Sequence, residues 1–356
     1  MKRALIAIFV LCVTAAAIFA YVHHRRLVKQ RQAFDAPSEP LSVSLANKPS
    51  STPSTAAAAP SLVEQLPAGA SAVVFVDVAA LRASSFANEL AALAPTSAQD
   101  PDYTEFVRAT GFDYSRDLDR VAVALWPQSA PTSVFAIAQG RFNQAKIRRY
   151  ALRTGHSIEY MGARIYEVRE GNSPRSIRFT FFPPDEIWLA DGPALSQALI
   201  AQNANRLDPQ MSARVARVSA APIYAVARTQ DLPRDLGIDV SKSAQLARLL
   251  RSVHAITAAG RPAADNLKVS ASAECDSALN ALELSTTLQG LLWMGRAALA
   301  DPNTRQQIGP QWPALDALLK AADITHESRQ VQLRIQITPQ MLQSAAAAPA
   351  NGTSRK

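Results

Sequence analysis

The sequence predicts an α+β protein: an N-terminal transmembrane helix, then two related modules of largely antiparallel sheet with helices on one face. Three observations predict it. Short apolar runs of strand length recur along the chain with helical segments between them. Several of these strands are adjacent in sequence, which suits antiparallel pairing and leaves no room for a crossover helix. Finally, an uncharged apolar run near the start is bounded by basic residues on both sides. A parallel α/β sheet is the alternative, and it would need a crossover helix after each strand.

The apolar run, ALIAIFVLCVTAAAIFAYV, occupies residues 4–22. At about 1.5 Å per residue it reaches about 28 Å, close to the hydrocarbon thickness of a bilayer. Lys2 and Arg3 precede it, while Arg25, Arg26, Lys29 and Arg31 follow, all six placed to meet membrane-surface headgroups. Ala15 and Ala17 have the small-residue spacing of a cleavage site. The apolar run nevertheless continues to Val22 and meets a basic stop, which favours a retained signal anchor spanning the lipid bilayer.

Sidedness has arguments both ways. The Lys and Arg count around the span favours a cytoplasmic C-terminal domain. The short N-terminus and the Pro/Ser/Thr/Ala composition behind the basic stop favour export. The balance falls on a single-pass inner-membrane protein with a periplasmic domain, and the cytoplasmic domain is the alternative.

Net charge of +8 invites a nucleic-acid reading, and its distribution removes it. Six of the 37 Lys and Arg lie in residues 1–31, which hold no acid, leaving 31 basic against 29 acidic residues. A near-neutral domain exerts little long-range attraction on phosphates, so no nucleic-acid partner is expected. The two cysteines, Cys12 in the apolar run and Cys275 far from it, offer no disulfide within the globular region.

The expected layout is a short N-terminal segment (1–3), the signal-anchor helix (4–22), a basic stop and disordered tether (23–61), module one (62–205), module two (206–343) and a disordered tail (344–356). In module one, SAVVFVDV (71–78) reads as a buried strand and ALRASSFANELAAL as the helix behind it. A short helix over 104–111 ends at Gly111. Residues 120–126 and 132–140 form an expected antiparallel pair. Asn143 to Thr154 has helical periodicity, and strands follow at 163–168, 176–182 and 186–190, then a helix that opens on Pro193. In module two, strands are expected at 221–232, 252–259, 266–274 and 329–337, with a long helix from Ser277 to Ala300 and another at WPALDALLKAA.

The modules are weakly alike. APIYAVARTQDL (221–232) is similar to ASAVVFVDVAAL (70–81), and LGIDVSKS (236–243) to TGFDYSRD (110–117). The pair 252–259 and 266–274 is similar to the pair at 120–140. The offset between similar segments drifts from about 150 to 126 and then 132, as duplication with insertions would produce. The apolar run, the tether, LPAGASAVVFVDVAALRAS, GFDYSRDLDRVAVAL and VQLRIQITPQML together resemble uncharacterised bacterial membrane-anchored proteins with a tandem α+β domain. The resemblance covers most of residues 62–343, implies the architecture and transfers no active site.

No motif for chemistry stands out. G-x-G is missing, and Gly290 and Gly295 have Walker spacing but are followed by Arg296 and Ala297. His156, His254 and His326 are far apart and lack metal-ligand spacing. Cys275 lies between Glu274 and Asp276, where Asp276 or Ser277 can cap the next helix. A Ser/His/acid triad has no G-x-S-x-G turn to mark it, and a carboxylate pair could draw on Asp77, Asp185 or Glu186. Asp77 ends a strand or caps the helix after it. Arg141, Lys146, Arg148, Arg149 and Arg153 predict one solvated basic helix face. No catalytic, cofactor or metal residue is assigned and no cofactor is expected. The expected function is a membrane-tethered, non-catalytic binding or scaffold module with an envelope protein or lipid partner. An envelope hydrolase with an unfamiliar site is the alternative, and it requires Asp77, His156 or His254 to converge with a serine or second carboxylate.

Overall fold

A computed structural model describes residues 61–87, 101–126, 133–169, 176–182, 184–191, 194–201, 207–231, 244–309 and 312–346. The expected anchor, its six flanking cations Lys2, Arg3, Arg25, Arg26, Lys29 and Arg31, almost all of the tether and the segment 236–243 lie outside the described residues. Among those described, no helix is long and apolar enough to cross a membrane.

A 3-10 turn, Leu62–Gln65, leads to β1 (Ala72–Asp77), α1 (Val78–Arg82), α2 (Pro101–Thr110) and α3 (Tyr114–Asp117). Then come β2 (Leu118–Trp126), β3 (Ser133–Gly140), α4 (Gln144–Thr154), β4 (Gly155–Tyr160), β5 (Ala163–Arg169), β6 (Ser176–Phe182) and β7 (Glu186–Asp191). The chain continues through α5 (Ala194–Ala201), α6 (Pro209–Val218), β8 (Ile223–Arg228), α7 (Ala244–Arg251), β9 (Val253–Pro262) and β10 (Leu267–Cys275). It closes with α8 (Ala278–Ala300), α9 (Pro302–Ile308), α10 (Trp312–Ala321), β11 (Asp323–Glu327), β12 (Gln330–Ile337) and α11 (Pro339–Ala346).

Among the described residues twelve strands join one sheet in the order β11-β12-β10-β9-β8-β1-β2-β3-β7-β6-β5-β4. Every pairing is antiparallel, so the α+β class holds and parallel α/β does not. The sheet is about 53 Å wide at the usual strand spacing. Five strands and seven strands meet at the β1–β8 pair, where Val74 faces Ala225, Ala72 faces Ala227 and Val76 faces Ile223. From there β1-β2-β3 and β8-β9-β10 run outwards as two meanders.

Helices cover both faces, which corrects the expectation of one face. The pairing register puts Val73, Ala122, Phe135, Ile137, Trp188 and Val226 on one side, here the front. Leu62, Val63 and Leu66, Leu195 and Leu199 of α5, and Met211 and Val215 of α6 close over them. Residues of opposite parity point to the back. There Ala138, Tyr166, Phe179 and Ile187 receive Ile147 and Ala151 of α4. Further along the same side, Ile324 and Val331 pack with Leu249 of α7 and with Ala281 and Leu284 of α8. A sheet carrying apolar side chains on both faces of its first half needs a helical layer on each. In the second half the front turns polar, with Ser270 and Ser272 of β10 beside Arg334 and Gln332 of β12.

Local signals account for most helix starts. Asn143 accepts from the Lys146 N–H, Asp208 from Met211 N–H and Ser277 from Asn280 N–H, each as a side-chain N-cap. The helix expected over ALRASSFANELAAL begins at Val78, and its described turns end at Arg82. Ser84 Oγ donates to the Leu81 carbonyl and accepts from the Phe86 N–H, a local turn that competes with the helix. Phe86 is thereby placed against Leu267 and Ile337, fully buried.

Candidate functional site

The 23-residue helix α8 has two unlike sides. Its inner side is dictated by the sheet: Ala281, Leu284, Ser285, Gly295 and Leu299 are buried, and Leu288 and Leu292 pack beside them. Ser285 Oγ donates to the Leu282 carbonyl and lies 3.2 Å from His326 Nδ1, tying α8 to β11. Gln289 Nε2 donates to the Ile324 carbonyl at 2.8 Å. At Gly295 the helix touches α10 so closely that an added Cβ would sit 3.1 Å from Leu319 Cδ1.

The outer side is apolar as well. At 100° per residue, positions 279, 282, 283, 286, 290, 293, 294 and 297 share the side opposite the sheet, so the partly exposed Glu283 lies among the apolar residues. There Leu279 is 63 % exposed, Leu282 45 %, Trp293 69 % and Met294 47 %. Thr286, Gly290 and Ala297 complete the stripe, also exposed. Four large apolar side chains on this side of the helix therefore face solvent.

Cations rim the stripe. Arg248 of α7 meets Glu283 at 3.2 Å, and Arg251 is exposed nearly one turn further along the same helix. Arg296 donates to the Leu319 and Ala322 carbonyls, closing the C-terminal end of α10. Glu283 is the single acid of α8.

A second concavity opens on the front where α6 crosses β10. It encloses about 560 Å³ and is lined by arginines 214, 217, 228 and 329 together with His254 and Glu274. Glu274 already holds two of these: Arg214 donates to it at 3.0 Å and Arg217 bonds its other oxygen. Burial pushes the Glu274 carboxyl up, and the two arginines more than offset this, leaving it below the usual carboxylate range.

Of the residues singled out in the sequence, His254 meets Asp276 and lies with Glu274 and Cys275 at the second concavity, while Asp77, His156, Asp185 and Glu186 do not join them. Asp77 caps α1 through the Ala80 N–H at 2.8 Å and pairs with Arg120 at 3.4 Å. His156 is on β4 opposite Glu167, at one edge of the sheet and six strand spacings (about 29 Å) from β1. His254, on β9, pairs with Asp276 beside the second concavity. Asp185 accepts from Gln139 and Glu186 from Gln65, both structural contacts. The Ser285–His326 contact is set in the packing of α8, where Ser285 is 1 % exposed. Cys275 is buried, and burial pushes its thiol up, away from the thiolate that nucleophilic chemistry needs. Among the described residues no group of three His, Cys, Asp or Glu side chains could hold a metal ion.

Lys146, Arg148, Arg149 and Arg153 are exposed on α4, but Arg141, expected on the same face, lies before the helix and bonds the Arg116 carbonyl and Asp117. Arg148 bonds Gln144 and lies over the Phe181 ring at 5.3 Å, and Arg153 lies over Tyr150 at 5.1 Å. Sequence reasoning passed over the outer side of α8. The signal was present in TTLQGLLWMGRAAL, whose apolar residues exceed what one buried face can use.

Fold and site together define a mixed α+β protein with a wide antiparallel sheet and one outward apolar helix face. No protein-family model and no curated protein matches the chain. Among solved structures, crystal forms I and III of TP0453 are similar at 12 % identity, with TM-scores of 0.44 and 0.45. They cover 81 % and 82 % of this chain and 98 % and 100 % of their own. A likeness at this level assigns the chain neither family nor function.

Proposed function

We propose that the protein is a membrane-tethered, non-catalytic binding module, held in the inner membrane by residues 4–22 with its sheet domain in the periplasm. The observation that carries the binding role is the outward apolar stripe of α8. Leaving four large apolar side chains in water forgoes about 1.5–3 kcal/mol for each that could be fully buried. The anchor rests on the uncharged run and its basic flanks.

The hydrolase reading has less support. Its best feature is the His254–Asp276 pair near Cys275, and the neighbouring thiol is buried and hard to ionise.

We also read the two halves as related modules, and the antiparallel β1–β8 pair supports this. Matching 70–81 with 221–232 sets Ala72 against Ile223, an offset of 151, so a local two-fold axis falls on the Val74–Ala225 pair at mid-strand. Under that axis Val123 corresponds to Ala258, because each pairs with the central residue of its half. That offset is 135, three more than the 132 suggested by sequence likeness.

Two measurements test the membrane assignment. Alkaline extraction of membranes should leave the full chain in the pellet, and release into the supernatant would contradict the anchor. Alkaline phosphatase fused after Lys356 should be active; an inactive fusion at normal abundance would place the domain in the cytoplasm.

A further inference from the structure

We propose that the outer stripe of α8 is a docking face for a lipid surface carrying anionic headgroups, so that the tethered domain lies against its own bilayer. This rests on the membrane-tethered reading and names the partner of the same site.

The size of the stripe chooses the occupant. Leu279 and Trp293 lie fourteen positions apart, about 21 Å at the α-helical rise, and a helix with side chains is about 10 Å wide. It therefore offers about 200 Å², roughly a quarter of the 800 Å² per partner that a stable protein interface buries. A second copy of the chain or a free protein would gain too little there to offset lost rotational and translational freedom. A bilayer imposes no such minimum on a domain already attached to it.

Attachment supplies the rest. Thirty-eight residues separate Val22 from Ser61. A chain of that length has a root-mean-square span of about 35 Å, which holds the domain near the headgroups at an effective concentration in the millimolar range. A weak contact is then sufficient.

The chemistry of the stripe suits the boundary between headgroups and acyl chains. An apolar helix face immerses about 5–10 Å there. Trp293, with a polar indole N–H on an apolar ring, favours that depth. Towards the Leu279 end of the stripe Arg248 is paired with Glu283, and the exposed Arg251 follows it on α7, where anionic headgroups attract cations.

The test uses the full chain reconstituted in vesicles of phosphatidylethanolamine and phosphatidylglycerol, with brominated acyl chains as quenchers of tryptophan emission. Trp293→Phe is the comparison variant, and its exposed position leaves the fold unaffected. Native protein should lose emission in brominated vesicles, and Trp293→Phe should show at least a twofold smaller loss. Equal quenching of the two would overturn the proposal. Phosphatidylcholine vesicles should quench native protein less than anionic ones; equal quenching there would overturn the headgroup assignment. A protein that stays in the membrane pellet with Trp293 unquenched defeats the docking face alone, whereas a protein released from the pellet defeats the tethered reading and the docking face with it.

Discussion

Helices α4 and α8 occupy matching places in the two halves of the sheet. Each follows the third strand of a meander, and each packs on the back face. Their inner sides are alike: Ile147 and Ala151 on one, Ala281 and Leu284 on the other, all buried. Their outer sides differ completely. Helix α4 shows water Lys146, Arg148, Arg149 and Arg153, with Leu152 as its one large apolar residue; α8 shows Leu279, Leu282, Trp293 and Met294. The sheet demands one apolar side from each helix and is indifferent to the other. A solvated outer side is therefore sufficient for folding, as α4 demonstrates, and folding alone does not call for the apolar side chains on the outside of α8.

The sharpest way to break this comparison is to truncate the two sides of α8 separately. Leu284→Ala should lower unfolding free energy by about 2–5 kcal/mol through lost burial and a cavity, while Leu279→Ala should stay within about 0.5 kcal/mol. Urea midpoints measure both, and similar losses would mean the outer side is covered by the fold itself. Gly295→Val should cost about 1–3 kcal/mol, because its side chain would press on Leu319 where α8 meets α10.

Asp117→Asn tests the approach to α4, since the Asp117 carboxylate pairs with Arg116 at 2.7 Å and with Arg141 at 3.5 Å. Its loss should be about 1–3 kcal/mol. Arg116 hydrogen bonds hold the Asp117 carboxyl below its usual range against the opposing effect of burial, with further help from the Asp113 N–H and Arg141. A lowered folded value means this stability is present above the ordinary carboxylate range and is lost as pH falls below about 4. Acid titration of native protein should show that loss, and Asp117→Asn should flatten it. Smallest of all is Arg149→Ala on the outer side of α4, expected within about 0.5 kcal/mol in the same urea assay.

Much of this fold was legible in sequence. Apolar runs gave β1, β2 and β3 to within two residues, and the caps Asn143 and Ser277 marked α4 and α8. Strands β4 and β11 were not legible, because as edge strands they bury little: GHSIEY has no fully buried residue and DITHE only Ile324. Helix α6 was overlooked although Asp208 and Pro209 announce its start and Met211 and Val215 supply its buried side. The second helical layer could not be foreseen from alternation, since strands buried on both faces read as plain apolar runs. The outer stripe of α8 was hidden for a related reason: a helix apolar all round looks like a core helix until the position of its neighbours is known.

The central claim is that the outer side of α8, unlike that of α4, meets lipid. A photoactivatable side chain at position 293 and, in a separate protein, at position 149 tests it in native membranes with the full chain. The account predicts lipid adducts from position 293 at least several-fold above those from position 149. Equal lipid labelling at the two positions, or labelling at 293 confined to protein, would contradict it.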